Sequence, residues 1–318
     1  MANETLTIGS LTAKPGEKTF GSNVLTVSGQ PYRLAMWLVN GAHDGPTLLV
    51  TAGVHAAEYA SIAAALDLGR TLDPKTLAGR VIVLPVMNVA GFGVRSIYIS
   101  PLDGKNLNRV FPGDAGGTAS DQVADWVFKN LMKRSNYYID LHGGDLIEAL
   151  VPFTIMFRSG HDETDRVSFD MAKVFGIHYL VRSETPGSAY AAAAKAGIPS
   201  ILAEAGGQGI WPPEDVASLR TGVDRVMRHL KMLPGGAPET PACTLLDRFL
   251  WLRSEHDAFW YPAVGVGDKV TSGQVLGRVT DHEGRVLQTA TSPADGSVLF
   301  LVTSLAINKG DPFLAVGA

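Results

Sequence analysis

His55 and Glu58 stand three residues apart in Gly53-Val-His-Ala-Ala-Glu-Tyr59, and both side chains are good zinc ligands. A residue and its i+3 neighbour share one face of a helical turn, so the pair reads as two ligands presented together. His142 is the natural third. Three protein ligands leave the fourth position of a tetrahedral zinc open for water, as in catalytic rather than structural sites. Bound zinc lowers the pKa of that water towards about 7 and polarises a substrate carbonyl. A carboxylate outside the ligand set is then needed as a base, and Glu204 fits. The bland reading of the His-x-x-Glu pair is a helix start with a favourable carboxylate in its first turn. What lifts it above that reading is position.

His55 follows the apolar run Thr47–Val54, His142 follows Tyr137–Leu141, and Glu204 follows Ser200–Ala203. Each run has the composition of a buried strand. In an open α/β sheet, ligands bind outside the carboxyl ends of the strands, so three residues far apart in sequence converge on one crevice. Asp140 alternates onto the strand face of His142 and is a candidate to orient it. An ordinary polar strand residue is the alternative.

The elements that must carry these residues alternate. After short strands and turns over residues 1–45 come helices at Glu58–Leu72, Ser120–Lys133, Thr164–Phe175, Ala189–Ala196 and Pro213–Met232. Strands lie between them, at Val81–Met87 and Tyr179–Val181 besides the three already named. Such alternation predicts a mostly parallel sheet covered by helices on both faces. Leu233–Pro241 holds three prolines and two glycines and reads as a linker. Beyond it, short strands separated by glycine turns predict a small all-β domain. The expected division is 1–234 and 235–318.

Composition narrows the function classes. With 46% hydrophobic and 18% charged residues, the chain of 318 residues can bury a large core. Lys and Arg do not cluster and the formal charge is −4, so the footprint of a nucleic-acid binder is missing. No window approaches the roughly 18 apolar residues of a membrane span, and the first ten residues lack a signal-peptide pattern. The single cysteine, Cys243, fits a reducing cytosol, so the expected location is cytoplasmic. His161, Asp162, Glu163 and Asp165 read as a solvated helix start, and Gly206–Gly209 lacks the spacing of a phosphate loop.

Four strings carry a resemblance: GVHAAEY, DGKNLNRVFPG, DLHGGD and ILAEAGG, in that order over roughly 35–209. Together they resemble the succinylglutamate desuccinylase/aspartoacylase family of the zinc carboxypeptidase superfamily. The resemblance implies a zinc carboxypeptidase-like mixed, mostly parallel sheet flanked by helices. It implies one Zn2+ per chain on His55, Glu58 and His142, with Glu204 as the general base. It implies Asn108 and Arg109 as the grip on a substrate carboxylate, for which a forked guanidinium is suited. Arg95 resembles the arginine that stabilises the oxyanion, a charge present only in the transition state. Tyr190 resembles a substrate-contacting tyrosine. Relatives that read an acidic side chain carry an arginine one turn after it, where this chain has Ala194, which argues against an aspartate- or succinylglutamate-type substrate.

Residues Val264–Val279 and Ser292–Val316 resemble the halves of a biotinyl/lipoyl-type barrel. Its connecting turn, Asp281-His-Glu-Gly284, holds no lysine, so the expectation is a cap or an oligomer contact rather than a prosthetic-group carrier. The function expected is hydrolysis of the amide bond of an N-acyl amino acid or similar small amide. A carboxypeptidase of short peptides is one alternative, and a metal-binding pseudoenzyme that has lost turnover is another. Chains of this scaffold often associate, so a homo-oligomer joins the small N-acyl substrate among expected partners.

Overall fold

A computed structural model describes residues 3–318. The chain opens with β1 (Leu6–Ile8), β2 (Leu11–Ala13), β3 (Glu17–Val27), β4 (Gln30–Asn40) and β5 (His43–Thr51). Then follow α1 (Tyr59–Thr71), β6 (Ala78–Leu84), α2 (Val89–Val94), α3 (Ala119–Asn130), β7 (Tyr137–His142), β8 (Glu148–Leu150) and β9 (Phe153–Phe157). α4 (Asp162–Phe175), β10 (Tyr179–Ser183), α5 (Ala189–Lys195), β11 (Ser200–Glu204) and α6 (Pro213–His229) complete the α/β part. Strands alone follow α6: β12 (Thr244–Leu246), β13 (Phe249–Arg253), β14 (Ala258–Pro262), β15 (Lys269–Val270), β16 (Val275–Thr280), β17 (Val286–Thr291), β18 (Gly296–Val302), β19 (Ala306–Ile307) and β20 (Pro312–Gly317).

Nine strands form one mixed sheet in the order β12-β10-β9-β11-β7-β5-β6-β4-β3. The run β11-β7-β5-β6 is parallel throughout. Antiparallel pairs enter at β9–β11, β6–β4 and β4–β3. Residues of α1, α4 and α6 pack one face of the sheet and those of α3 and α5 the other, in two separate apolar clusters. That covering explains why β5, β6 and β7 read as continuous apolar runs rather than alternating ones.

Two features depart from the sequence expectations. The first forty residues hold two long strands besides the short β1 and β2. β3 and β4 span eleven residues each and pair along their whole length. Ser28 and Gly29 turn the chain with φ of 47° and 76°, the left-handed pair that a two-residue hairpin requires. β9 was not expected as a strand at all. It inserts antiparallel between β10 and β11, a non-local placement that its short run of residues does not announce.

The C-terminal strands form two further sheets around Trp260 and Phe313, whose ring centroids are 4.3 Å apart. The two parts exchange strands. β12, beyond the proline-rich segment, is the edge strand of the large sheet beside β10. β8, from the α/β part, pairs antiparallel with β18 of a C-terminal sheet. No helix among the described residues is long and apolar enough to cross a membrane.

Candidate metal centre

Three neighbouring parallel strands deliver the candidate residues. His55 lies in the loop after β5, His142 is the last residue of β7, and Glu204 is the last residue of β11. His142 and Glu204 are register partners. The convergence inferred from strand ends is therefore a consequence of the order β11-β7-β5. One detail differs. His55 and Glu58 do not share a helical turn, because Glu58 is the N-cap of α1 with a non-helical backbone (φ −84°, ψ 74°) and His55 precedes it in a turn. The loop bends the two side chains together instead.

His55, Glu58 and His142 are buried, and one donor atom from each lies within 4.8 Å of the others. Their arrangement is specific. His55 Nδ1 is 2.6 Å from Glu58 Oε1, and His142 Nδ1 is 3.0 Å from Glu58 Oε2. Both imidazoles thus turn the same nitrogen inward. Each Nε2 faces an oxygen on the outside: Asn106 Oδ1 at 3.0 Å from His55, and Asp140 Oδ2 at 3.1 Å from His142. An outer acceptor of this kind fixes tautomer and ring orientation for a metal-binding histidine. Asp140 is itself held, accepting from the Thr51 hydroxyl at 2.6 Å. The donor set, its burial and its outer supports fit a zinc ion. Asn106 was not singled out from the sequence, although it lies within the quoted string DGKNLNRVFPG.

Replacing Asp140 with asparagine is expected to weaken zinc binding about 10–100-fold, since an amide supports the imidazole less well than a carboxylate does. Competition against a chromophoric chelator measures this. Unchanged affinity would return Asp140 to an ordinary polar strand residue.

The charges are mutually adjusted. Burial pushes the Glu58 carboxyl up, yet the His142 and His55 imidazoles overcome it and hold the group at about 2. Burial pushes His142 down, but the Glu58 and Asp140 carboxylates prevail and raise it well above its ordinary value. Glu204 is raised well above the usual carboxylate range. Burial is the main cause, opposed by His142 and reinforced by Glu58, Glu148 and Asp140. Its Oε2 is buried and has no hydrogen-bond partner. A buried unsatisfied carboxylate oxygen is costly and calls for an explanation. A bound water or cation beside it supplies one.

Asn108 and Arg109 sit on the single helical turn Leu107–Arg109. Asn108 is buried, accepts from the Ala189 backbone N–H at 2.8 Å, and has Nδ2 3.5 Å from His142 Nε2. Arg109 is exposed and makes no ion pair among the described residues. Tyr190 is buried on α5, its phenol pushed up by burial, with Ser183, Ser188, Arg109 and His142 acting the other way. Ala194 is fully buried in the same apolar cluster. Arg95 caps α2 in a left-handed conformation (φ 56°), its side chain is exposed, and no hydrogen bond or ion pair joins it to the cluster.

Gly143 and Gly144 allow two loops to pack closely. A Cβ would lie 2.4 Å from Ala205 O at Gly143 and 2.6 Å from Glu148 O at Gly144. The loop after β7 is pressed against the loop after β11, and that contact keeps His142 beside Glu204.

A family model described as the Succinylglutamate desuccinylase/Aspartoacylase catalytic domain matches residues 44–230. The N-alpha-acetyl-L-2,4-diaminobutyric acid deacetylase of Halomonas elongata is 32% identical over 284 residues, covering 86% of this chain and 82% of that protein. The product-bound structure of the ectoine utilization protein EutE (DoeB) from Ruegeria pomeroyi shares the fold. It superposes with a TM-score of 0.88 at 24% identity, covering 100% of both chains. The succinylglutamate desuccinylase/aspartoacylase structure from Rhodobacter sphaeroides gives 0.84 at 26% identity, with 94% of each chain covered.

Proposed function

The chain belongs to the succinylglutamate desuccinylase/aspartoacylase family, and from that premise we propose that it is a zinc-dependent deacylase of acetylated amino acids, diamino acids foremost. One observation carries the reading. Two imidazoles direct Nδ1 at the two oxygens of one buried carboxylate, and a second, half-buried carboxylate, Glu204, stands at the next strand end with its buried Oε2 unpartnered.

A zinc ion held by His55, Glu58 and His142 would supply Lewis acidity, making a nearby water more acidic and the acyl carbonyl more electrophilic. The remaining work falls to the chain's own residues. Glu204 takes a proton from the attacking water and later returns it to the departing amine nitrogen. Its displaced affinity suits this, because burial makes the carboxylate a stronger base than one in water. Arg109, exposed and without an acidic partner, receives the substrate carboxylate, and Asn108 offers its Nδ2 to the same group. Buried Tyr190 lies where the charges of Arg109 and His142 both act on it, which fits a substrate contact.

The substrate class rests on two supports. The Halomonas relative acts, by its name, on an acetylated diaminobutyric acid. Ala194 puts no cation at the position on α5 where relatives that read an acidic side chain carry an arginine. A mass-spectrometric screen of the zinc-loaded protein tests this against N-acetylaspartate, N-succinylglutamate and short peptides. Acetylated 2,4-diaminobutyrate is expected to give the highest kcat/KM. Preference for peptides would replace the reading with a carboxypeptidase, and no turnover of any compound would favour a pseudoenzyme.

A further inference from the structure

Arg95, to which the family resemblance gave the acyl oxygen, is exposed and makes no hydrogen bond or ion pair with the cluster. Three residues further along the same loop, Tyr98 turns inward. Its ring meets the His55 ring edge-on, with centroids 6.2 Å apart. The Tyr98 backbone is left-handed (φ 57°), a conformation that a bulky residue keeps only when its surroundings dictate it. They do so at two atoms. The Tyr98 N–H donates to Asp145 Oδ2 at 3.0 Å, and the phenol donates to Glu148 Oε1. Asp145 and Glu148 are buried, and neither pairs with a lysine or arginine among the described residues. The loop also closes on itself, since Ile99 bridges to Asn106, the residue that supports His55. Tyr98 and Asn106 therefore flank the same imidazole.

Glu148 is anchored from the other direction. It begins β8, where it pairs with Val302 of β18, and its Oε2 accepts the Asp145 N–H at 2.7 Å. The C-terminal sheet thus sets Glu148, and Glu148 sets Tyr98.

We propose that Tyr98 is the hydrogen-bond donor that meets the acyl oxygen of the substrate, in the role that the family resemblance implied for Arg95, and that Glu148 is its positioning residue. The proposal rests on the deacylase reading. In the resting site the phenol proton is directed at Glu148 Oε1, and the bound acyl oxygen takes its place as acceptor while Glu148 keeps the ring in position.

The test uses the full zinc-loaded chain and acetylated 2,4-diaminobutyrate. Tyr98→Phe is expected to lower kcat about 100-fold, the scale of one lost oxyanion donor, with KM within about twofold and metal content and Tm unchanged. Arg95→Ala is expected to stay within about twofold of wild type in both constants. Glu148→Gln should lower kcat as well, and the double variant Y98F/E148Q should be no slower than Y98F, because residues acting as one unit are not additive. A kcat for Y98F close to wild type, a loss confined to KM, or multiplicative losses in the double variant would overturn the proposal. If wild type cleaves none of the acylated amino acids, the deacylase reading fails. Calorimetry with methylphosphonate, a tetrahedral oxyanion, then decides alone. Weaker binding to Y98F than to wild type supports Tyr98 as the donor, and equal binding removes it.

Discussion

Glu204→Gln is expected to lower kcat by about 10²–10⁴-fold while leaving zinc content at about one per chain, the range for loss of a positioned acid–base group. Glutamine matches the shape of glutamate but cannot carry the proton. The structure separates this residue from the metal ligands in two ways. Glu204 is outside the group of three donors that lie within 4.8 Å of one another. Its Oε2 is buried without a partner, whereas both oxygens of Glu58 face imidazole nitrogens. The variant should be no less stable than wild type, because an amide costs less to bury than an unpaired carboxylate. Metal analysis, a melting curve and steady-state kinetics on one preparation give the answer. Normal turnover in Glu204→Gln would mean that the base is misassigned. Lost turnover together with lost zinc would make Glu204 a ligand instead.

Removing the metal is expected to abolish turnover, a loss of about 10³-fold or more, since the ion contributes several kcal/mol of charge stabilisation. Chelation followed by titration with zinc should recover activity at about one equivalent per chain. His142→Ala should fail to recover under the same titration. Full activity in metal-free protein would sink the zinc reading outright.

The affinity of this site should also depend on pH, with a sign fixed by the surroundings of His142. Burial lowers that imidazole's affinity for a proton, but the Glu58 and Asp140 carboxylates more than offset it, so the metal-free protein holds a proton there well above the ordinary range. Glu58 is held down at about 2 and stays ionised. A ligand nitrogen must be unprotonated to bind, so zinc and a proton compete for His142. Affinity should fall as pH falls, by about one log unit per pH unit below the raised pKa, with a proton released on binding. Calorimetry in buffers of different ionisation enthalpy detects that proton. No release, and a flat affinity between about pH 6 and 8, would show that His142 is not a ligand.

Much of the site was legible because its residues mark strand ends. A buried parallel strand is a continuous apolar run, and the first polar residue after it stands at the carboxyl edge of the sheet whatever the strand order. His142 and Glu204 followed from that rule alone, and so did the neighbourhood of His55. Asn108 and Arg109 came from the resemblance of DGKNLNRVFPG and not from any period. Asn106 stood in the same string unrecognised, because its role is a hydrogen bond to a residue fifty-one positions away.

The chemistry that could occur here is legible in the chain without its fold: a His-Glu-His donor set, a separate carboxylate, a covered sheet and an all-β tail. These depend on residue type and on local periodicity, which a chain displays wherever its elements come to rest. Tertiary structure alone decided the order β11-β7-β5, which makes register partners of His142 and Glu204. It decided that β8 and β12 cross between the two parts of the chain. It also decided that Tyr98 packs on His55 and Glu148 while Arg95 stays exposed, because the placement of a loop side chain is set by the backbone reversals and buried acceptors around it. Those contacts join residues some fifty positions apart in sequence, beyond the reach of any local pattern.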